Sequence, residues 1–190
     1  MSRRIEPKEE MVNRILSATE VLIVREGLQN LSMRNIAKEA GIASGTLYLY
    51  FKTKDDLLHS LTGRFFDRYC RKMDLVFNPK LDLFEQYKLA VRRKWAFLLD
   101  NLELAHQWKA ILGFDELVRN EINNKKSFWN EFATECKKQK IVADLPNELL
   151  YSLSIGTIVD ILYLQRFNST LHFEEYLDEI ILRTWKAITF

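Results

Sequence analysis

Between Leu31 and Gly41 the chain reads LSMRNIAKEAG, and this short run carries both ends of one helix. Ser32 has an N-cap side chain, Leu31 and Ile36 are spaced as a hydrophobic staple, and Gly41 supplies the stop. The helix they bound is about two turns long. After Ile42 and Ala43, Ser44 can cap a third short helix reaching about Tyr50. Thr53 can cap a fourth, with Asp55 and Asp56 in its first turn, where they favour the positive end of the helix dipole. Upstream, Lys8 to Glu26 is amphipathic, with Ile15, Ala18, Thr19 and Leu22 on one side and Gly27 placed to end a first helix. Two short helices joined by a tight glycine-containing turn make a helix-turn-helix, which constrains the chain more than any other feature.

The second helix of such a pair can enter a DNA major groove, and its residues fit that task. A step of about 100° per residue from Ser44 brings Leu47 and Phe51 together as core anchors. The same step turns Gly45, Thr46 and Leu49 outward, with Tyr48 and Tyr50 on the flanks. Gly45 permits close backbone approach, Ser44 and Thr46 offer small hydroxyls, and the tyrosines can bond phosphate while packing on sugar or a thymine methyl. No carboxylate occurs between Ala40 and Lys54, which spares the segment direct repulsion by a polyanion. Lys52 and Lys54, beside the free N–H groups of the fourth helix, can clamp a phosphate.

Composition narrows the remainder. Six glycines and three prolines in 190 residues are too few turn residues for a sandwich or barrel, so helices are expected throughout. A formal net charge of +2 is too mild for a generally polybasic protein, so anion binding must depend on local placement. Cys70 and Cys136 stand outside any CxxC or Cys/His cluster and read as reduced thiols of a cytoplasmic protein. The N-terminus lacks an apolar core of the secretory kind, and no run approaches the roughly 18 apolar residues of a membrane span. The fourth helix runs through Leu58, Leu61, Phe65, Phe66, Tyr69 and Met73 until Asn78-Pro79 ends it. Longer segments near 81–101, 103–113, 114–140, 147–166 and 173–188 follow, rich in Trp, Phe, Leu and Ile, with Pro146 suited to a first turn.

The run ILSATEVLIVREGLQNLSMRNIAKEAGIASGTLYLYFKTKDDLL, residues 15 to 58, closely resembles the DNA-binding head of TetR-family transcriptional regulators. The resemblance implies an all-α fold of about nine helices: a three-helix head over 1–52 and a ligand-binding and dimerisation body over 53–190. It implies DNA contacts at Ser32, Arg34, Ser44, Gly45, Thr46, Tyr48, Tyr50 and Lys54, with Arg3 and Arg4 as a possible minor-groove arm. It also implies a homodimer on a palindromic double-stranded operator, released by a small-molecule effector, with no cofactor, metal or membrane partner.

In the body, Trp95, Trp108, Phe114, Trp129 and Phe132, with Phe128, are candidate walls of an effector cavity, though aromatics at helical spacing also build ordinary core. They suit an apolar or aromatic effector, with His106, Gln107 and Asp115 as polar neighbours. Asp160 shares a face with Leu153, Gly156, Thr157, Tyr163 and Leu164, so the reading expects a partner for its carboxylate. Ser152, Ser154, Gly156 and Thr157 suit close helix approach. Leu153, Gly156, Asp160, the Tyr176–Leu177 pair and Ile181 are therefore the candidate dimer seam. An enzyme is the rival class, but His59, His106 and His172 are scattered and no HExxH or nucleophile elbow occurs. A DNA-binding adaptor that docks a protein partner is the second alternative.

Overall fold

The computed structural model describes residues 7–73, 75–105, 124, 126–164, 167, 168, 170 and 172–190. The chain forms two compact units, one ending at Arg68 and the other starting at Tyr69. The N-terminal unit holds α1 (Lys8–Glu26), a 3₁₀ turn (Leu28–Asn30), α2 (Met33–Glu39), α3 (Ser44–Tyr50) and the greater part of α4 (Lys54–Met73). The division falls inside α4, beyond the 52/53 boundary of the sequence reading.

The short helices of this unit exist because their ends are satisfied locally. Ser32 accepts the Asn35 N–H into its hydroxyl at the start of α2. At the other end the Gly41 and Ile42 N–H groups donate to the Lys38 and Ala37 carbonyls, a Schellman motif closed by Gly41 at φ 66°. Thr53 and Asp56 exchange side-chain and backbone bonds of 3.0 Å each, capping α4 from both sides. Inside lie Ile15, Leu22, Ile23, Leu31, Ile36, Leu47, Phe51, Leu57, Leu61 and Phe65, all buried. These short helices lack the length to stand alone, and that apolar burial holds them.

The C-terminal unit contains α5 (Leu83–Asp100), α6 (Phe128–Lys138), α7 (Asn147–Leu153), α8 (Ile158–Leu164) and α9 (Leu177–Lys186), with 3₁₀ turns at Ile155–Thr157 and Phe173–Tyr176. Asp82 caps α5 through the Glu85 N–H, and the Gln86 amide bonds both Asn78 backbone groups, pinning the loop that Pro79 breaks. No strand forms among the described residues; a single antiparallel bridge joins Val142 to Thr189. Nor is any described helix long and apolar enough to cross a membrane.

An aromatic cluster ties α5, α6 and α9. Phe132, 1% exposed, stacks with Tyr87 and Phe128 at 6.3 and 5.6 Å and meets Phe77, Trp129 and Trp185 within 6.4 Å. Tyr87 donates its hydroxyl to Thr184 Oγ1 at 2.7 Å, and burial raises its pKa to about 12. The Cys136 thiol is likewise buried and pushed up to about 12, first by burial and then by the Glu135 charge.

Two segmentation expectations are corrected. The span 147–166 is not one helix: Ser154 at φ −123°, ψ −110° breaks it, and Thr157 bonds back to the Ser154 carbonyl at 2.7 Å. A side chain on Gly156 would come within 2.8 Å of the Tyr151 carbonyl, so this glycine serves a turn in its own chain. The span 114–140 resolves into α6 from Phe128 onward, because Ser127 takes the N-cap and receives the Asn130 N–H. Pro146 stands at the N-cap of α7 rather than in its first turn. Trp108, Phe114, His106, Gln107 and Asp115, and likewise Arg3 and Arg4, lie outside the described residues.

Two stability measurements follow. Phe132→Ala removes the ring shared by five aromatic neighbours and is expected to cost about 3–5 kcal/mol in urea unfolding. Lys140 ends α6 in the left-handed region at φ 55°, so Lys140→Gly is expected to stabilise the unit by about 1 kcal/mol.

Candidate nucleic-acid interface

The geometry of α3 follows from what anchors it. Leu47 is 0% exposed and Phe51 is buried, which fixes the inward side as the spacing predicted. The opposite side is then forced outward. Ser44, Gly45, Tyr48 and Leu49 are exposed, Thr46 and Tyr50 half-buried. Leu49 stands 75% exposed and Tyr48 46%. A side chain built on Gly45 would meet nothing within 4 Å, so its bareness fills no internal packing need and leaves room for an approaching surface.

Ser44 departs from its expected role. The N-cap of α3 is Ala43, whose extended backbone presents its carbonyl to the Thr46 and Leu47 N–H groups at 2.9 and 3.2 Å. Ser44 is the first helical residue, and its exposed hydroxyl makes no bond to any described residue. It remains available to an outside acceptor or donor. Ser32, by contrast, spends an oxygen lone pair on its own helix but keeps its hydroxyl proton. Arg34 is exposed on α2.

The two lysines after α3 differ. Lys52 is exposed and its ammonium rests on the Tyr48 carbonyl at 3.2 Å, at the negative end of α3. Lys54 is half-buried, and its ammonium reaches the Leu31 carbonyl at 3.4 Å, a long bond within the head. Lys54 therefore joins the α2 approach to α4, while Lys52 projects the freer charge.

A clamp that the sequence reading missed fastens α4 to α1. Glu20 takes Arg64 at 2.9 Å on one oxygen and Arg68 at 3.2 Å on the other, and Arg64 also donates to the Asn13 carbonyl and Ser17 hydroxyl. The available signal was the like-charged pair Arg64 and Arg68 at i, i+4, which repels on an isolated helix and calls for a carboxylate opposite. At the end of α1, Arg25 bonds Glu26 and Glu39, holding the Glu39 carboxyl below its usual range.

In the C-terminal unit the candidates take separate places. Trp129 and Phe132 belong to the aromatic core. Trp95 is buried, and its indole N–H finds no acceptor among the described residues, an unmade bond worth about 1–3 kcal/mol. Sequence reasoning missed its neighbour Lys94, which is 2% exposed, donates to the Tyr151 hydroxyl at 2.6 Å and lies 4.6 Å from that ring's centre. On the proposed seam, Leu153 and Asp160 are exposed, Gly156 and Leu177 half-buried, and Ile181 buried within its own chain. The sequence reading puts Asp160 on an apolar or small-residue face with a partner for its carboxylate. In α8 the buried residues are Ile158, Val159 and Leu162, while Asp160 and Leu164 are exposed.

Comparisons with known proteins bear on both units. Residues 15–61 match the model of bacterial regulatory proteins, tetR family, and residues 82–189 match that of the tetracyclin repressor-like C-terminal domain. An uncharacterized HTH-type transcriptional regulator of Haemophilus influenzae is 34% identical over 95% of this chain and 97% of its own. The crystal structure of a TetR-family transcriptional regulator from the same organism superposes with a TM-score of 0.78 at 33% identity, over 96% of this chain and 98% of that one. A Bacillus subtilis fatty acid metabolism regulator protein is 32% identical over 48% of this chain and 47% of its own.

The contrast between the lysines is testable by duplex binding across a salt series with parallel melting. Lys52→Ala is expected to weaken every duplex alike, lower the salt slope by about 1 and leave melting unchanged. Lys54→Ala is expected also to lower the melting temperature by about 2–4 °C, the shift that about 1 kcal/mol produces in a chain of this size.

Proposed function

This chain belongs to the TetR family of bacterial regulatory proteins, and we propose that within it the protein is a repressor that holds a palindromic operator as a homodimer and releases it on binding a small molecule. As a member it is a DNA-binding transcriptional regulator of the helix-turn-helix kind. The observation that carries the operator reading is the outward side of α3, an exposed surface without a single charge, followed by Lys52 on its C-terminal end and with Arg34 exposed on α2. Surfaces turned to water ordinarily carry Lys and Glu; this one carries hydroxyls, aromatic rings and bare backbone, which suit base edges and sugar.

Dimerisation is supported by large apolar side chains exposed in the C-terminal unit: Leu149, Leu153, Leu164, Phe167 and Tyr176, each 45–70% exposed. Exposed apolar side chains in such number suit a covering partner, and a second copy would double the α3 helices to match two half-sites of a palindrome. For the effector, the buried indole N–H of Trp95 offers a hydrogen bond that a ligand would complete. An apolar ligand accords with the aromatic content and with a relative named for fatty acid metabolism. Release is a population shift: the effector favours one packing of the body, in which the two α3 helices no longer match successive major grooves.

Selection from random double-stranded DNA by the purified chain tests this reading. A palindromic motif bound by two copies, and a compound whose binding lowers operator affinity at least tenfold, are the expected results. Binding blind to sequence, or operator affinity unchanged by every compound that binds the body, would contradict it.

A further inference from the structure

We propose that Leu49 is a specificity-determining residue that reads the C5-methyl group of a thymine in each operator half-site; this rests on the operator reading above. The argument begins with what α3 lacks. Bidentate discrimination of guanine needs Arg or Lys, of adenine Asn or Gln, and recognition of cytosine a carboxylate. The helix reads SGTLYLY and contains none of these. Hydroxyls from Ser44, Thr46, Tyr48 and Tyr50 accept and donate, and so discriminate weakly among base edges. The remaining feature of a major-groove edge that an uncharged side chain can select is the thymine methyl.

Leu49 is placed to select it. Among the described residues of the N-terminal unit it is the most exposed large apolar one at 75%, compared with 46% for Tyr48, 48% for Val21 and 50% for Val24. It lies four residues after Gly45 and three after Thr46, hence on the same outward stripe of the helix. Gly45 has open space where a side chain would stand, so the backbone at this point can sink toward the groove floor and carry Leu49 to methyl depth. A leucine left in water gains nothing there, whereas against a methyl group both apolar surfaces leave water together.

The test uses the full chain and its selected operator, with each thymine replaced singly by deoxyuridine, which deletes the methyl and keeps every donor and acceptor. At one thymine per half-site the replacement is expected to weaken wild-type binding about fourfold, the worth of one buried methyl. In Leu49→Ala the same replacement is expected to change affinity less than about 1.5-fold, and repeated selection is expected to lose the thymine preference in that column alone. Because Leu49 is exposed, the variant should melt with the wild type, and Leu49→Met should keep the methyl sensitivity. A defined motif in which no thymine is methyl-sensitive, or in which the sensitivity persists in Leu49→Ala, overturns this proposal and leaves the operator reading intact. A wild-type selection that yields no motif overturns both.

Discussion

The turn at Gly41 governs the N-terminal unit. Two backbone bonds, from Gly41 to Lys38 and from Ile42 to Ala37, close α2 in a left-handed residue and aim the chain into α3 after two more positions. Any side chain at that φ costs about 1–2 kcal/mol, which is why glycine stands there. Once the turn is set, Leu47 and Phe51 point into the buried interior of the unit, where Ile36, Leu57 and Leu61 are buried as well. Burying them decides the other side of α3 by elimination, because a two-turn helix has only one opposite face. The exposed side of α3 is therefore a consequence of the core and not a separate construction.

That arrangement divides labour between charge and shape. On the operator reading, affinity for a polyanion would come from Lys52, Lys54 and Arg34, while the outward side of α3 is neutral. A neutral reading surface has a specific advantage. Uncharged side chains add no sequence-independent attraction, so hydroxyls, rings and a leucine contribute mainly where the base edge or methyl they meet is complementary. The mild net charge of +2 fits the same division. Glu20 has a supporting part: by holding Arg64 and Arg68 it fixes the direction in which α4 leaves the head unit's first helix and removes two cations from competition for phosphate.

Much of the head was legible because its signals are local. Ser32, Gly41 and Thr53 act on residues no more than five positions away, and the inward pair Leu47 and Phe51 follows from helical period alone. Ser44 was misassigned as a cap because its side chain has the right chemistry, yet the extended Ala43 before it already supplies the first carbonyl. What escaped reading depends on distant partners. Glu20 meets Arg64 and Arg68 only through folding, the ammonium of buried Lys94 reaches the Tyr151 hydroxyl across 57 residues of chain, and Ser154 breaks the helix that was expected to run through Asp160. Lys140 gave no warning, since the left-handed residue that closes α6 is a lysine where glycine is usual.

The central claim is that sequence is read by an uncharged helix while charge only holds the duplex. The most direct measurement is the affinity of the full chain for its selected operator and for a scrambled duplex of equal length, across ionic strength. The account predicts two steep and parallel lines of log affinity against log salt, so that the ratio of specific to non-specific binding stays nearly constant. A ratio that collapses as salt rises, with slopes differing by two or more ions, would show that charged contacts carry the discrimination and would contradict the account.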